Sequence, residues 1–392
     1  MRHLRVLVVD SSTPYRTLVV EAVNETRFSR VVATAADGQE ALARFDETQP
    51  DLITIDLALP IVDGLALLRT LRDRGSLPMV LVVTAETKSA ALDAVEALER
   101  GAIGVVMKPP GDTFRSSRAA LVARLQTELE VASRWVRTPA SRSPEETQER
   151  TSPRDSVGRG SSLRIAASTT ARPSASAVRT GPSGGRVEPA PAWPVLVAIG
   201  ASTGGPAALV AVVSALPATL ACPVVIVQHM PPVFTPSLAA SLARHAQVPV
   251  VEAAHRRRLE PGTVYVAPGG RHLRIATTEA GFLADLGDDA PVHFCRPSCD
   301  VLFRSAADAA RARAIGVLLT GMGEDGAQGL LAMRVAGCQT LAQDEATSVV
   351  YGMPRAAAAL GAAREILPIE KIGPSLAARV PRKMAALRGP RP

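Results

Sequence analysis

The chain has 392 residues, more than one ordinary domain needs, and is 47% hydrophobic but only 3% aromatic, so its cores are built from Ala, Val and Leu. Of the net charge of +7, more than half comes from nine arginines against four glutamates and one aspartate between Arg137 and Ala192, a polar segment and not a nucleic-acid-binding face. Four cysteines are too few for a disulfide scaffold. The C-x3-C spacing of Cys295 and Cys299 lacks the second pair of a zinc site, no apolar run approaches the roughly 18 residues of a membrane helix, and MRHLRVLVVD is no signal peptide. A reduced, cytoplasmic protein is the expectation.

In residues 1–110 five short apolar runs, LRVLVV (4–9), VVATA (31–35), LITI (52–55), MVLVV (79–83) and GVVM (104–107), read as buried strands. Amphipathic stretches at 13–24, 39–47, 65–74 and 88–100 separate them and predict a doubly wound parallel sheet, whose ligands bind at the carboxyl ends of the strands. Those ends carry Asp10 and Ser11, Asp56, Thr84, and Lys108-Pro109. A carboxylate, a hydroxyl and an ammonium converging on one edge suit a phosphoryl group carried on Asp56, its charge neutralised by a metal.

These positions, in register over residues 1–125, resemble response-regulator receiver domains of the flavodoxin-like type. The resemblance implies Asp56 as phosphoacceptor, Thr84 and Lys108 as phosphoryl sensors, and Mg²⁺ held by Asp10 and Asp56. Two departures stand out. Ser11 occupies the place of a second acid, the family's more direct metal ligand, which predicts weakened Mg²⁺ binding and slow phosphorylation. Val105 stands where the family's aromatic switch falls.

A connecting helix at 116–136 leads into a Ser/Pro/Arg-rich stretch, 137–192, that reads as a flexible tether; the whole connection is placed at 126–193. From residue 194 to about 385 a second α/β domain with a largely parallel sheet is expected. Its strands fall at 195–200, 224–228, 248–253, 263–268, 272–276, 314–320 and 339–343, with an antiparallel excursion around 255–294. Helices are expected at 205–216, 236–245, 301–313 and 326–336.

The first of these strands ends in Gly200-Ala201-Ser202-Thr203-Gly204, a G-x-S-x-G turn that holds a serine hydroxyl out between glycines at a helix start. A serine nucleophile needs a base. VVIVQHMPP places His229 after a buried strand, and AIGVLLTGMGEDGA places Glu324 and Asp325 in a glycine loop after another. Neighbouring parallel strands would converge Ser202 as nucleophile, His229 as base and Asp325 as the group fixing the imidazole tautomer. The order Ser…His…Asp differs from the Ser…Asp…His of the α/β-hydrolases, so the turn does not assign that fold. The loop at 321–326 also matches G-x-G-x-x-G, but it follows a late strand and sets two acids where a pyrophosphate would lie.

The stretches AIGASTGG (198–205), VIVQHMPP (225–232), FCRPSCDVLF (294–303), GVLLTGMGEDGA (316–327) and QDEATSVVYGMPR (343–355) resemble the protein-glutamate methylesterases of bacterial chemotaxis over roughly residues 194–370. The resemblance implies hydrolysis of glutamate methyl esters, and deamidation of glutamines, on chemoreceptor helices, with no cofactor for the esterase. It implies the triad Ser202, His229, Asp325, with the Met322 N–H and Thr203 holding the oxyanion, a histidine kinase as phosphodonor, and the receiver as an inhibitory lid. Glu324, commonly Asn in the family, is expected to face solvent, and Arg296 and His293 fall on the substrate side. The alternatives are a phospho-responsive adaptor with a vestigial esterase half, or an esterase for a non-chemotactic receptor.

Overall fold

The computed structural model describes residues 3–75, 78–85, 87–108, 114–136 and 195–388. Pro109 and the expected tether at 137–192 lie outside them.

The first unit interleaves β1 (Leu4–Val9), α1 (Thr13–Asn24), β2 (Ser29–Ala35), α2 (Gly38–Thr48), β3 (Leu52–Ile55), α3 (Gly64–Asp73), β4 (Met79–Ala85), α4 (Lys88–Glu99), β5 (Gly104–Lys108) and α5 (Phe114–Val136). The strands form one parallel sheet ordered β2-β1-β3-β4-β5. Val, Leu and Ile on β1, β3 and β4 are buried on both faces, the composition a sheet covered by helices on each side requires. α5 runs unbroken through the boundary expected at residue 125. Its Leu121, Leu125 and Leu129 share a core with Val6 and Val8 of β1, so the connecting helix is part of this unit.

The second unit comprises β6 (Leu196–Ala201), α6 (Gly205–Ser214), β7 (Val224–Gln228), α7 (Thr235–His245), β8 (Val250–Glu252), β9 (Val264–Val266), β10 (His272–Thr278), β11 (Gly281–Gly287), α8 (Cys299–Ala310), β12 (Ala314–Leu318), α9 (Ala327–Val335), β13 (Gln339–Gln343), α10 (Met353–Ala359), β14 (Glu365–Leu367) and α11 (Ile369–Arg388). Seven strands pair in parallel in the order β14-β13-β12-β6-β7-β9-β8, which puts β6 between β12 and β7. The antiparallel excursion is the β10–β11 hairpin, whose Leu273 and Phe282 pack with Leu302 and Phe303 of α8.

The two units touch. Phe234, 1% exposed at the start of α7, lies in the same apolar cluster as Ala94 and Leu98 of α4, and Val95 of α4 joins the core beneath α6 and α7. Glu99 of α4 lies 3.8 Å from both Arg244 and His245 of α7.

Candidate active site

The strand order brings the carboxyl ends of β12, β6 and β7 side by side, and with them Ser202, His229 and the loop holding Asp325. The turn after β6 is fixed by its backbone. Ser202 N donates to the Thr320 carbonyl at 3.0 Å, and Gly205 N donates to the Ser202 carbonyl at 2.7 Å. Gln228, buried at the end of β7, donates through Nε2 to the same carbonyl at 2.9 Å and to that of His229 at 3.2 Å. Two glycines are obligatory. Gly204 has φ +75° and abuts Val349, and a Cβ on Gly205 would lie 1.9 Å from Gln228 Oε1. The hydroxyl is thereby presented at the amino end of α6, where backbone N–H groups favour negative charge.

His229 Nε2 lies 2.7 Å from Asp325 Oδ2. Asp325 is held in turn by the amino end of α8: Ser298 Oγ donates to Oδ1 at 2.7 Å, Cys299 N to Oδ2 at 2.7 Å and Asp300 N to Oδ1 at 3.2 Å. Burial pushes this carboxyl up, but the hydrogen bond and charge of His229 with the Ser298 and Cys299 donors outweigh it, and Asp325 stays below the usual carboxylate range. Burial disfavours the His229 imidazolium; Cys299, the hydrogen bond to Asp325 and Cys295 act against it, and the balance is well above the ordinary histidine value. Cys299 is itself pushed up to about 12 by burial, a neutral thiol at neutral pH, so Asp325 is the charge that holds the proton on His229.

With Nε2 taken by Asp325, Nδ1 is the ring nitrogen left for a reacting group. Among the described residues Ser202 Oγ makes no hydrogen bond, and the neighbour of Nδ1 is Cys295 Sγ at 3.5 Å. Ser202, Thr203, His229, Met322, His293 and Arg296 line one cavity of about 750 Å³. Its opposite wall is the first unit: Ile103, Val105, Arg124 and Glu128. Glu324 is 72% exposed, in line with expectation, with its carboxylate 3.8 Å from His293 Nδ1. The sequence reading did not find Ser298, Gln228 or His272. The buried His272 accepts Ser298 N at Nδ1, bracing the turn that feeds α8. A Ser-x-Asp pair at a helix start was the available signal for α8, whose expected start at 301 falls two residues late.

In the first unit, Lys108 Nζ lies 2.7 Å from Asp56 Oδ2 and 2.8 Å from Asp10 Oδ2, and Thr84 is buried at the same sheet edge. Burial raises the Asp10 carboxyl above its usual value, with Lys108 pulling it back. The Mg²⁺ implied by the receiver resemblance suits what is present. The buried Asp10 carboxylate, with Lys108 as its cationic neighbour, Asp56 Oδ1, the Ala58 carbonyl and the Ser11 hydroxyl that approaches it at 3.5 Å are hard oxygen donors. Ser11 contributes a neutral oxygen in place of a charged one.

Fold and sites together define a class: a receiver-type unit joined to a second α/β unit that carries a candidate hydrolytic site. A response regulator receiver model matches residues 6–115 and a CheB methylesterase model residues 197–376. A protein-glutamate methylesterase/protein-glutamine glutaminase of Nocardioides sp. is 38% identical over 99% of this chain and 98% of its own. One of the same description from Xanthomonas campestris pv. campestris is 39% identical over 93% and 97%. The catalytic domain of Thermotoga maritima CheB methylesterase is 37% identical, covering 47% of this chain and 98% of that one, with a TM-score of 0.47. The chain belongs to the CheB methylesterase family.

Proposed function

We propose that Ser202, with His229 and Asp325, hydrolyses γ-methyl glutamate esters and deamidates glutamines on the cytoplasmic helices of methyl-accepting chemoreceptors. Family membership makes the chain a protein-glutamate methylesterase and protein-glutamine glutaminase. The observation that carries the residue assignment is the His229–Asp325 pair, its carboxylate held at the amino end of α8 and its imidazole lining the same cavity as Ser202.

The Ser202 oxygen attacks the ester carbonyl while its proton passes to His229 Nδ1; the C–OCH₃ bond breaks and methanol leaves with that proton. Water, deprotonated by the same nitrogen, then cleaves the acyl-enzyme. Asp325, kept ionised by its α8 donors, holds the imidazole and stabilises the imidazolium. The Met322 N–H and Thr203 stabilise the oxyanion, each such donor being worth about 2.7–4 kcal/mol. In the receiver half Asp10 and Asp56 would hold Mg²⁺, which would neutralise the phosphoryl group received from a histidine kinase.

The receiver acts as a lid. Its β5 and α5 residues wall the cavity from which a receptor helix would have to be served. Phosphorylation of Asp56, sensed by Thr84 and Lys108, favours the undocked arrangement, which requires a difference in affinity between the two states. The tether at 137–192 keeps the halves together. Among the described residues no helix is long and apolar enough to cross a membrane, and the cytoplasm is the compartment that receptor and kinase imply.

The test is methanol release from methylated receptor with and without a small phosphodonor. The wild type should respond to the donor and Ser202→Ala should release none while remaining folded. Release by Ser202→Ala overturns the nucleophile; a folded, receptor-binding wild type with no release supports the adaptor alternative.

A further inference from the structure

The C-x3-C pair gave no reason in the sequence to expect a metal, but the fold brings Cys295 to a different partner, His229, 66 residues away. The imidazole is arranged as a metal-binding histidine is. Its Nε2 is engaged by a carboxylate, Asp325 Oδ2 at 2.7 Å, the outer-sphere contact that fixes the tautomer of the neutral ring and turns the other nitrogen toward the thiol. That other nitrogen, Nδ1, lies 3.5 Å from Cys295 Sγ. Tetrahedral zinc, with Zn–N of about 2.0–2.1 Å and Zn–S of about 2.3 Å, sets a nitrogen and a sulfur ligand about 3.6 Å apart. The pair is therefore at bite distance without rearrangement. His229, Cys295 and Asp325 offer donor atoms all within 4.8 Å of one another. Cys295 is partly exposed on the cavity, so an ion can reach it and keep open positions for water.

We propose that His229 Nδ1 and Cys295 Sγ form a binding site for a soft divalent cation, zinc foremost, with Asp325 as outer-sphere partner of the imidazole. Binding forms Zn–N and Zn–S bonds and releases to solvent the thiol proton and, where the ring is protonated, the Nδ1 proton of the imidazolium, with no change of oxidation state. Its functional consequence rests on His229 being the base. The ion occupies the lone pair that would take the Ser202 proton, so zinc inhibits hydrolysis reversibly. The receiver's oxygen site, lacking sulfur, prefers Mg²⁺, and the two ions are thereby separated by ligand softness.

The test uses the reduced full-length chain and cobalt(II) as a spectroscopic stand-in for zinc. Wild type should show a near-ultraviolet thiolate-to-cobalt charge-transfer band saturating at one equivalent and erased by zinc. Cys295→Ser and Cys295→Ala should lose the band while keeping the wild-type thermal midpoint, and Cys299→Ser should retain it. In parallel, zinc should suppress methanol release, a chelator should restore it, and Cys295→Ser should need roughly tenfold or more zinc for half-inhibition. No band in wild type, or a band surviving in both Cys295 variants, overturns the site whatever the esterase does. A Cys295-dependent band with hydrolysis untouched by saturating zinc upholds the site and overturns the role of His229 as base.

Discussion

A carboxylate buried beside a histidine is costly unless other donors share it, and Asp325 has three besides the imidazole. Asp325→Asn keeps the shape but removes the charge and lets the ring adopt the wrong tautomer. Its kcat should fall by about 10⁴-fold, the scale for the corresponding change in serine proteases, with the unfolding midpoint little changed. The pH dependence follows from His229. Its value is raised by the fold, and only the neutral ring accepts a proton, so kcat/KM should climb with pH through a midpoint above the ordinary value of about 6.5. The stabilisation from the protonated ring is complete below that ordinary value and is lost as pH rises through the raised one. The contribution of Asp325 runs the other way: complete above the ordinary carboxylate value and lost as pH falls through its lowered one. A pH–rate midpoint at or below the ordinary histidine value contradicts this reading.

At the scale of elements, α8 does two tasks with one terminus. Ser298 caps the helix toward Val301 N and also donates to Asp325. Ser298→Ala should therefore cost about 1–3 kcal/mol in urea unfolding and lower kcat as well, whereas a cap that served the helix alone would leave kcat unchanged. The turn after β6 is equally constrained. Gly205→Ala drives a methyl into the buried Gln228, which holds the Ser202 carbonyl, and should sharply reduce hydrolysis even where the chain still folds. The parallel strands up to β13 were legible because buried parallel strands read as short Val/Ile/Leu runs, whereas β11 of the hairpin was covered only by the expected excursion at 255–294. β14, α10 and α11 were not. β14 has three residues, and α11 contains Pro374 and Pro381, which interrupt the helical signal although Ile372 and Leu376 pack into the core with Val212 of α6.

At the scale of the whole molecule, α4 meets the α6–α7 face, and the proposed lid depends on that contact. Phe234 is buried there among α4 side chains. Phe234→Ala, a change worth about 3–5 kcal/mol at a fully buried site, should loosen docking and raise methanol release in the absence of phosphodonor. Removing residues 1–137 should raise it further and abolish the response to phosphodonor; unchanged activity on deletion refutes the lid. On the receiver, Ser11→Asp should tighten Mg²⁺ binding and speed labelling by phosphodonor. A wild-type rate already equal to that of the variant would contradict the weakening assigned to Ser11.

Local chain chemistry by itself determined the two α/β halves, the polar segment between them and the loops carrying Asp56, Ser202, His229 and Asp325, because strand runs, glycine turns and strand-end polar residues are all short-range signals. Tertiary structure alone decided the rest. The order β12-β6-β7 is a set of long-range pairings that places residues 202, 229 and 325 on one edge. The α8 terminus that shares the charge of Asp325, the clamp of Gln228 on the serine turn, and the approach of Cys295 to His229 each join groups 25 or more residues apart. No periodicity in the chain encodes such distances; they exist only once the sheet has closed and its helices have packed.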